Sequence, residues 1–459
     1  MRTEPLTLTA ACLAERASRG PRYTSYPPAT QLAPMASDAI EPELARIAAA
    51  RAPVSLYVHV PFCRSLCAYC GCNVIPTRDA SRGEAYVEDV LAELAVLSGK
   101  LGEAFPVSEL ALGGGSPNFL SPPSLRWLVH AMERYFAMAP DARKSVELDP
   151  RTTTNDQLET LGSLGFRALS IGIQDFDKGV QDAIRRHQSV AQTRWLVEHG
   201  RAAGFTDINA DLVYGLPRQT EASFTATLDA VLELAPDRIA LFGYAHLPSK
   251  LPHQRIVERA GRILDAQERA SLLLLAIEKL SAAGYLHLGL DHFARPGSAL
   301  ARAAAERRMV RTFQGYVEHR ADAILGVGVT AISSTPNMLW QNQGELEAWQ
   351  SEIHAGRLSV ERGVMLDRDD RLRRTIIGKL MCEGEVDLDA VGRELAVDPA
   401  AYFARELAAL AELDDLATYD PTAHTIRTTP MGKVLVRNVC MVFDRYHQGG
   451  SRAGFSSTI

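Results

Sequence analysis

Apolar residues in this chain recur in two rhythms. From Ser55 onward, short and nearly continuous apolar runs alternate with longer stretches in which apolar positions return at helical spacing. Strands covered on both faces read as continuous apolar runs, whereas helices lying on a sheet keep one apolar stripe, so the alternation predicts βα units and a parallel sheet. The predicted strands are Ser55–Val60, Glu109–Leu112, Ser145–Leu148, Ala168–Ile173, Ile208–Leu212 and Arg238–Phe242. Between the first two, Tyr86, Val87, Val90, Leu91, Leu94 and Leu97 build one helical face against the sheet. Past Gly243 the rhythm loosens into a loop through Ala245-His246-Leu247-Pro248, then a long helix near Asp265–Ala283 and the segment Leu290 to Pro296.

The two ends of the chain read differently. Residues 1–50 form an arm with the centre Arg22-Tyr23-Thr24-Ser25-Tyr26-Pro27-Pro28 and a helical pattern from about Asp38. Residues 51–360 form the sheet-bearing unit, and residues 361–459 a C-terminal winged-helix-like domain. The latter shows helical patterns at about 368–382, 386–395 and 400–413, strand-like runs at Leu416–Tyr419 and Thr425–Thr428, and a last helix from Met431. The alternating acids Glu383, Glu385, Asp387 and Asp389 argue against a DNA-reading wing and favour a cover over an active site.

Cys63, Cys67, Cys70 and Cys72 stand on the loop that follows the first strand. Disulfides belong to oxidising compartments, and no apolar signal segment is visible at the start, so a reduced, metal-bearing loop is expected. Zinc sites usually draw ligands from two separated knuckles, which this loop lacks. Cys63, Cys67 and Cys70 can ligate three corners of one iron–sulfur cube, with Cys72 in the same tight turn left over. One iron would then lack a protein ligand and would invite a small chelating one.

Composition adds exclusions. The 459 residues carry a formal charge of −6, with 23% charged and 46% apolar residues, which leaves no electrostatic footprint for nucleic acid. No apolar run approaches a membrane span, and no repeat or low-complexity tract is visible. A soluble cytoplasmic enzyme without nucleic-acid or membrane partners is expected.

Parallel sheets gather functional groups at the carboxyl ends of strands, and the remaining polar signals fall there. Leu112 runs into Gly113-Gly114-Gly115-Ser116-Pro117, where missing side chains let backbone approach a ligand; the nucleotide-loop patterns are absent. Glu147 ends the third run and could take both hydroxyls of a ribose, although alone it would read as a solvated acid. Gln174, Arg186 and Asp211 repeat the strand-end theme, each open between ion pair and site. Tyr57 and His59 share one face of the first strand. Cys12, Cys382 and Cys440 read as small buried hydrophobes.

The cysteine spacing is that of the radical S-adenosylmethionine (SAM) enzymes, and the stretch Tyr57 to Cys72, YVHVPFCRSLCAYCGC, resembles the cluster loop of the oxygen-independent coproporphyrinogen III oxidase family. The resemblance extends through Tyr23–Pro27, residues 113–117, 147–151, Gln174-Asp175-Phe176, 211–217, 244–248, 291–296, Phe313–Tyr316 and Arg437–Met441. It implies an α/β fold, a partial (βα)6 barrel of the radical SAM type with an N-terminal arm and a mainly helical C-terminal domain. It implies oxidative decarboxylation of two propionates of coproporphyrinogen III to vinyl groups, started by a 5′-deoxyadenosyl radical. It further implies one [4Fe–4S] cluster on Cys63, Cys67 and Cys70 and two SAM molecules. Tyr57, Gly114, Glu147 and Ile332 would contact the first SAM; Tyr69, Gly115, Ser116, Gln174, Arg186, Asp211 and Ala245 would contact the second. Tyr57 and Cys72 are the expected catalytic residues, with a reducing electron-donor protein as partner and a monomeric chain. Leu112 and Ser116 stand where the family motif carries an aromatic residue and threonine, and Ser116 keeps the hydroxyl. The rival readings are a haem chaperone, against which Cys72 and the Tyr23–Pro27 arm count, and a radical SAM methyltransferase acting on a tetrapyrrole.

Overall fold

Strand β1 (Val54–Val60) lies inside a thirteen-stranded sheet in the computed structural model, which describes residues 8–395, 397–447 and 455–459. Almost every β1 side chain is buried, which is why the run reads as continuously apolar. On one side follow β2 (Phe105–Gly114), β3 (Phe136–Leu148), β4 (Ala168–Gln174), β5 (Asp207–Tyr214) and β6 (Arg238–Gly243), each parallel to its neighbour. The crossovers carry α1 (Ser81–Leu101), α2 (Pro122–Tyr135), α3 (Asn155–Ser163), α4 (Lys178–Ile184), α5 (Val190–Ala202) and α6 (Glu221–Leu234). All six predicted strands are present. Strand β3 begins at Phe136 rather than Ser145, because Pro140, Asp141, Arg143 and Lys144 interrupt its apolar character along an only partly covered half.

Helix α1 turns Tyr86, Val87, Val90, Leu94 and Leu97 inward, as its periodicity predicts. Helices α3, α5 and α7 (Ala266–Ala282) open with capping boxes, Thr154 with Gln157, Ser189 with Gln192 and Asp265 with Glu268, which satisfy amide groups that no helical carbonyl can reach.

Beyond β6 the sheet adds antiparallel β8 (His292–Ala294) and β7 (Leu286–Gly289). On the far side of β1 lies a parallel strand that the apolar runs did not announce, β9 (Ile324–Val327), with Ile324 opposite Ser55 and Gly326 opposite Tyr57. Antiparallel β10 (Ile332–Ser334), β11 (Met338–Gln341) and β12 (Arg362–Met365) complete that edge, and the arm residues Ala33–Pro34 pair with β12. The order runs from Ala33–Pro34 to β7 without its ends pairing, so among the described residues the barrel is partial and open along one side.

Helix α8 (Arg368–Glu383) starts the C-terminal segment. Two predicted helices there are subdivided. Residues Glu385–Asp387 join a three-stranded sheet with Thr425–Thr428 and Ala417–Asp420, so the helix begins at Leu388. The 400–413 pattern breaks at Phe403, whose fully buried ring packs edge-on against Phe443. The arm is clamped between this segment and the barrel: Arg437 Nε donates to Pro21 O at 2.8 Å, Tyr23 donates to Asp444 at 3.0 Å, and Arg22 donates to Gly243 O at the end of β6 at 2.6 Å.

Candidate active site

The cysteine loop leaves the carboxyl end of β1 and is pinned from several directions. Ile75 N–H donates to Pro61 O at 2.8 Å and Thr77 N–H to Cys63 O at 2.9 Å, closing its base. Phe62 anchors that base in an aromatic pocket with Tyr86 and Phe119, at 5.4 and 5.1 Å between ring centres. Ala68 N–H reaches Ile184 O at 2.8 Å, and the Gln254 side chain donates to Tyr69 O at 3.0 Å and to Ala245 O at 3.1 Å. Tyr69 and Ala245, expected at the second SAM, are therefore held by one amide.

Every cysteine is a free thiol. Among the described residues no three Cys, His, Asp or Glu side chains converge on the position of a single ion. The thiols nevertheless feel one another: burial, then Cys70 and Cys67, push the Cys63 thiol up to about 12. Cys70 is drawn down to about 6, chiefly by the Cys72 side chain, and the Cys72 N–H lies 3.4 Å from its sulfur. Two guanidiniums, Arg151 and Arg186, each donate to the Cys67 sulfur at 3.6 Å.

Beside the loop, the glycine run forms a cradle that side chains would fill. Gly114 has φ +111° and donates to Glu147 Oε2 at 3.2 Å. A Cβ at Gly113 would stand 2.9 Å from the Glu147 carboxyl, and one at Gly115 would stand 2.7 Å from Pro61 O. The Ser116 hydroxyl bonds Asn118 Oδ1, while Asn118 Nδ2 donates to Asp149 O at 3.1 Å and to the hydroxyls of Thr152 and Thr153. One asparagine thus braces the glycine run against the loop that follows β3.

Glu147, Ser170 and Asp211 occupy neighbouring strands in register, with Glu147 opposite Ser170 and Gly172 opposite Asp211. Burial, followed by the Asp211 charge, pushes the Glu147 carboxyl up to about 7 against the pull of the Gly114 N–H. Asp211 is itself raised by burial, while Ser170 Oγ at 2.9 Å and Asn209 Nδ2 at 2.7 Å donate to its two oxygens. Tyr57 and His59 do share a face: the Tyr57 hydroxyl lies 3.1 Å from His59 Nδ1, and His59 Nε2 lies 3.1 Å from Asn73 O. Burial lowers His59 to about 4, so the ring is neutral at pH 7. The Cys72 thiol is raised first by Cys70, then by burial, and further by Glu147 and Cys63, and Tyr57 is raised by burial and then by Glu147 and Cys72.

Arg186 fans out to Cys67, to Asp149 Oδ1 at 3.3 Å and to Gly172 O at 2.6 Å, while its buried Nε has no partner. Gln174 sits at φ +69° in the β4 bulge, with its amide beside Gly172. A non-glycine residue held there marks local strain of the kind that clusters at functional sites. Ile332, on β10, places its carbonyl against Gly326, the residue paired with Tyr57. The cradle, the orphaned Arg186 Nε and the thiol set all fit a cluster with SAM beside it. Sequence reasoning did not assign Asn118, Asp149, Arg151, Ser170, Asn209 or Gln254 to the site; Asp149 and Arg151 lay within the quoted 147–151 motif, and Gln254 carried no local signal.

The radical SAM superfamily profile matches residues 57–231. The oxygen-independent coproporphyrinogen III oxidase of Pseudomonas aeruginosa is 38% identical over 449 residues, covering 96% of both chains. That of Escherichia coli K12 is 39% identical over 428 residues, covering 93% of both. The solved structure of the Escherichia coli coproporphyrinogen III oxidase, described as a radical SAM enzyme, superposes with a TM-score of 0.88 at 39% identity, covering 93% of this chain and 97% of the other.

Proposed function

Because the chain belongs to the oxygen-independent coproporphyrinogen III oxidase family of radical SAM enzymes, we propose that it converts two propionate side chains of coproporphyrinogen III to vinyl groups, making protoporphyrinogen IX for haem synthesis. The observation that carries this reading is the meeting of the Cys63, Cys67 and Cys70 loop with the Gly114–Glu147 cradle at the carboxyl ends of β1, β2 and β3.

Cys63, Cys67 and Cys70 would hold one [4Fe–4S] cluster. Tyr57, Gly114, Glu147 and Ile332 would hold one SAM, and Tyr69, Gly115, Ser116, Gln174, Arg186, Asp211 and Ala245 a second. When bound, the cluster and SAM together supply one-electron cleavage that yields a hydrogen-abstracting adenosyl radical. Each propionate gives up a β-hydrogen atom, carbon dioxide and one electron, which balances its conversion to a vinyl group.

The side chains have distinct tasks. Ionised Glu147 accepts two ribose hydroxyls, and the missing side chains at Gly113 and Gly115 admit the nucleoside. Arg151 and Arg186 direct their N–H groups at the Cys67 sulfur and would steady it as a cluster ligand. Neutral His59 holds the Tyr57 hydroxyl in place, and Cys72 remains a free thiol beside it as the second catalytic residue. The clamped arm and C-terminal segment keep water from the open side of the barrel. An external reducing protein supplies electrons, and the enzyme works as a cytoplasmic monomer; no described helix is long and apolar enough to cross a membrane.

Substrate deuterated at the propionate β-carbons tests this reading. Anaerobic turnover should deliver deuterium into 5′-deoxyadenosine in step with vinyl formation. Vinyl product accompanied by unlabelled 5′-deoxyadenosine would overturn it.

A further inference from the structure

A cavity of about 510 Å³ lies between the arm at Tyr23–Tyr26, the hairpin strand Met309–Thr312 and α8. That volume is within the usual range for sites that enclose small organic ligands. Arg307, Arg311, Arg371, Arg374 and Lys379 line it, against the carboxylates of Asp322 and Glu383. The acids are already engaged. Arg307 and Lys379 lie 3.5 and 3.3 Å from Glu383, and His319 lies 3.0 Å from Asp322.

Arg374 is placed differently. Its guanidinium donates to Thr335 O at 2.6 Å and to Ser334 Oγ at 2.9 Å and, among the described residues, forms no ion pair. Burial lowers its pKa, and Asp322 is the charge that offsets this. Each terminal nitrogen keeps a second N–H, enough for a forked grip on a carboxylate. Arg311, nearby, shares Asp291 at 3.6 Å and has a buried terminal nitrogen without a hydrogen-bond partner. Deeply placed cations without a full counter-charge are costly to the fold unless an anion joins them.

The cavity continues the wall of the reaction site. Ile324 and Ser334 line it and face each other across β9 and β10. Side chains two residues apart share a face, so Ile324 lies on the face of Gly326, which pairs with Tyr57, and Ser334 lies on the face of Ile332. A two-residue step is about 7 Å. Both strands therefore lead from the cations to residues expected at the first SAM within one pleat.

We propose that this cavity receives carboxylate-bearing side chains of the tetrapyrrole, with Arg374 as the principal anchor and Arg311 beside it. The proposal rests on the reading of the chain as a coproporphyrinogen oxidase, because that substrate carries four propionates and only two react.

Fluorescence titration of the anaerobically reconstituted holoenzyme with coproporphyrin III, the stable oxidised tetracarboxylate, tests it. Arg374→Gln should weaken binding about tenfold or more, as expected for loss of a charge-assisted contact. Arg374→Lys should fall between the two. Iron content and SAM affinity should stay at wild-type values, which a merely structural tie holding β10, and with it Ile332, would not allow. Unchanged porphyrin affinity in Arg374→Gln, or equal loss of SAM affinity, would overturn the anchor. If Arg374→Gln fails to fold, Arg374→Lys decides: weakened porphyrin binding with wild-type SAM affinity supports the anchor, and wild-type porphyrin binding overturns it. Arg374-dependent binding without any vinyl formation by the wild type would refute the oxidase reading alone, whereas vinyl formation with affinity indifferent to Arg374 would refute the anchor alone.

Discussion

The Gly114 N–H donates to Glu147 Oε2 at 3.2 Å, tying together the carboxyl ends of two adjacent parallel strands. This bond holds the carboxyl in the space between Tyr57 and the glycine run, where burial and then Asp211 raise it to about 7. Only the ionised form accepts two ribose hydroxyls, so SAM affinity should rise as pH climbs through about 7 and then level off. Glu147→Gln should weaken SAM binding about tenfold at pH 8 and flatten the profile, as read by anaerobic titration calorimetry. Stability runs the other way in the ligand-free protein. The fold retains a proton that the unfolded chain releases above 4.5, so this group's contribution declines as pH rises from 4.5 to about 7.

At Gly115 an added methyl would meet backbone that cannot step aside, with Pro61 O at 2.7 Å and Phe62 O at 2.8 Å. Gly115→Ala should displace the base of the cysteine loop, lower stability by about 1–3 kcal/mol and reduce iron retention. Iron analysis and thermal unfolding of the reconstituted variant check both; full iron at the wild-type melting temperature would show that the cradle yields.

The strand runs were readable because parallel strands covered on both faces need apolar residues almost continuously, as in Val54–Val60. The cysteine motif was readable because its ligands are neighbours in the chain. Strand β9 escaped because its four residues include Gly326 and its parallel partner, β1, lies far upstream. The first half of β3 escaped because Pro140, Asp141, Arg143 and Lys144 break its apolar run, with Arg143 held between Glu109 and Asp207. Contacts such as Arg186 on the Cys67 sulfur and Asn118 on Asp149 depend on how strands stack in register, and no local residue pattern announces them.

Cys72 separates ligand from catalyst. Its backbone N–H supports the Cys70 sulfur at 3.4 Å, a contact that any residue at this position keeps. Cys72→Ser should therefore retain iron and the cluster spectrum while losing most vinyl formation. Cys67→Ala, by contrast, should lose the cluster. Wild-type turnover by the serine variant would reduce Cys72 to a space-filling thiol, and loss of iron would make it a ligand.

Asp211 receives Ser170 Oγ and Asn209 Nδ2 on its two oxygens, an arrangement that fixes its orientation. Equilibrium dialysis of the reconstituted enzyme should approach two SAM molecules per chain. Asp211→Asn should bring this toward one with the cluster spectrum intact, and unchanged two-site binding would remove Asp211 from the second site.

The most direct measurement is product analysis after anaerobic incubation of the reconstituted enzyme with a reductant, SAM and coproporphyrinogen III. The expected result is protoporphyrinogen IX, two molecules of carbon dioxide per tetrapyrrole, and no product when SAM is left out. Intact coproporphyrinogen III in the presence of a full cluster and active SAM cleavage would contradict the assignment.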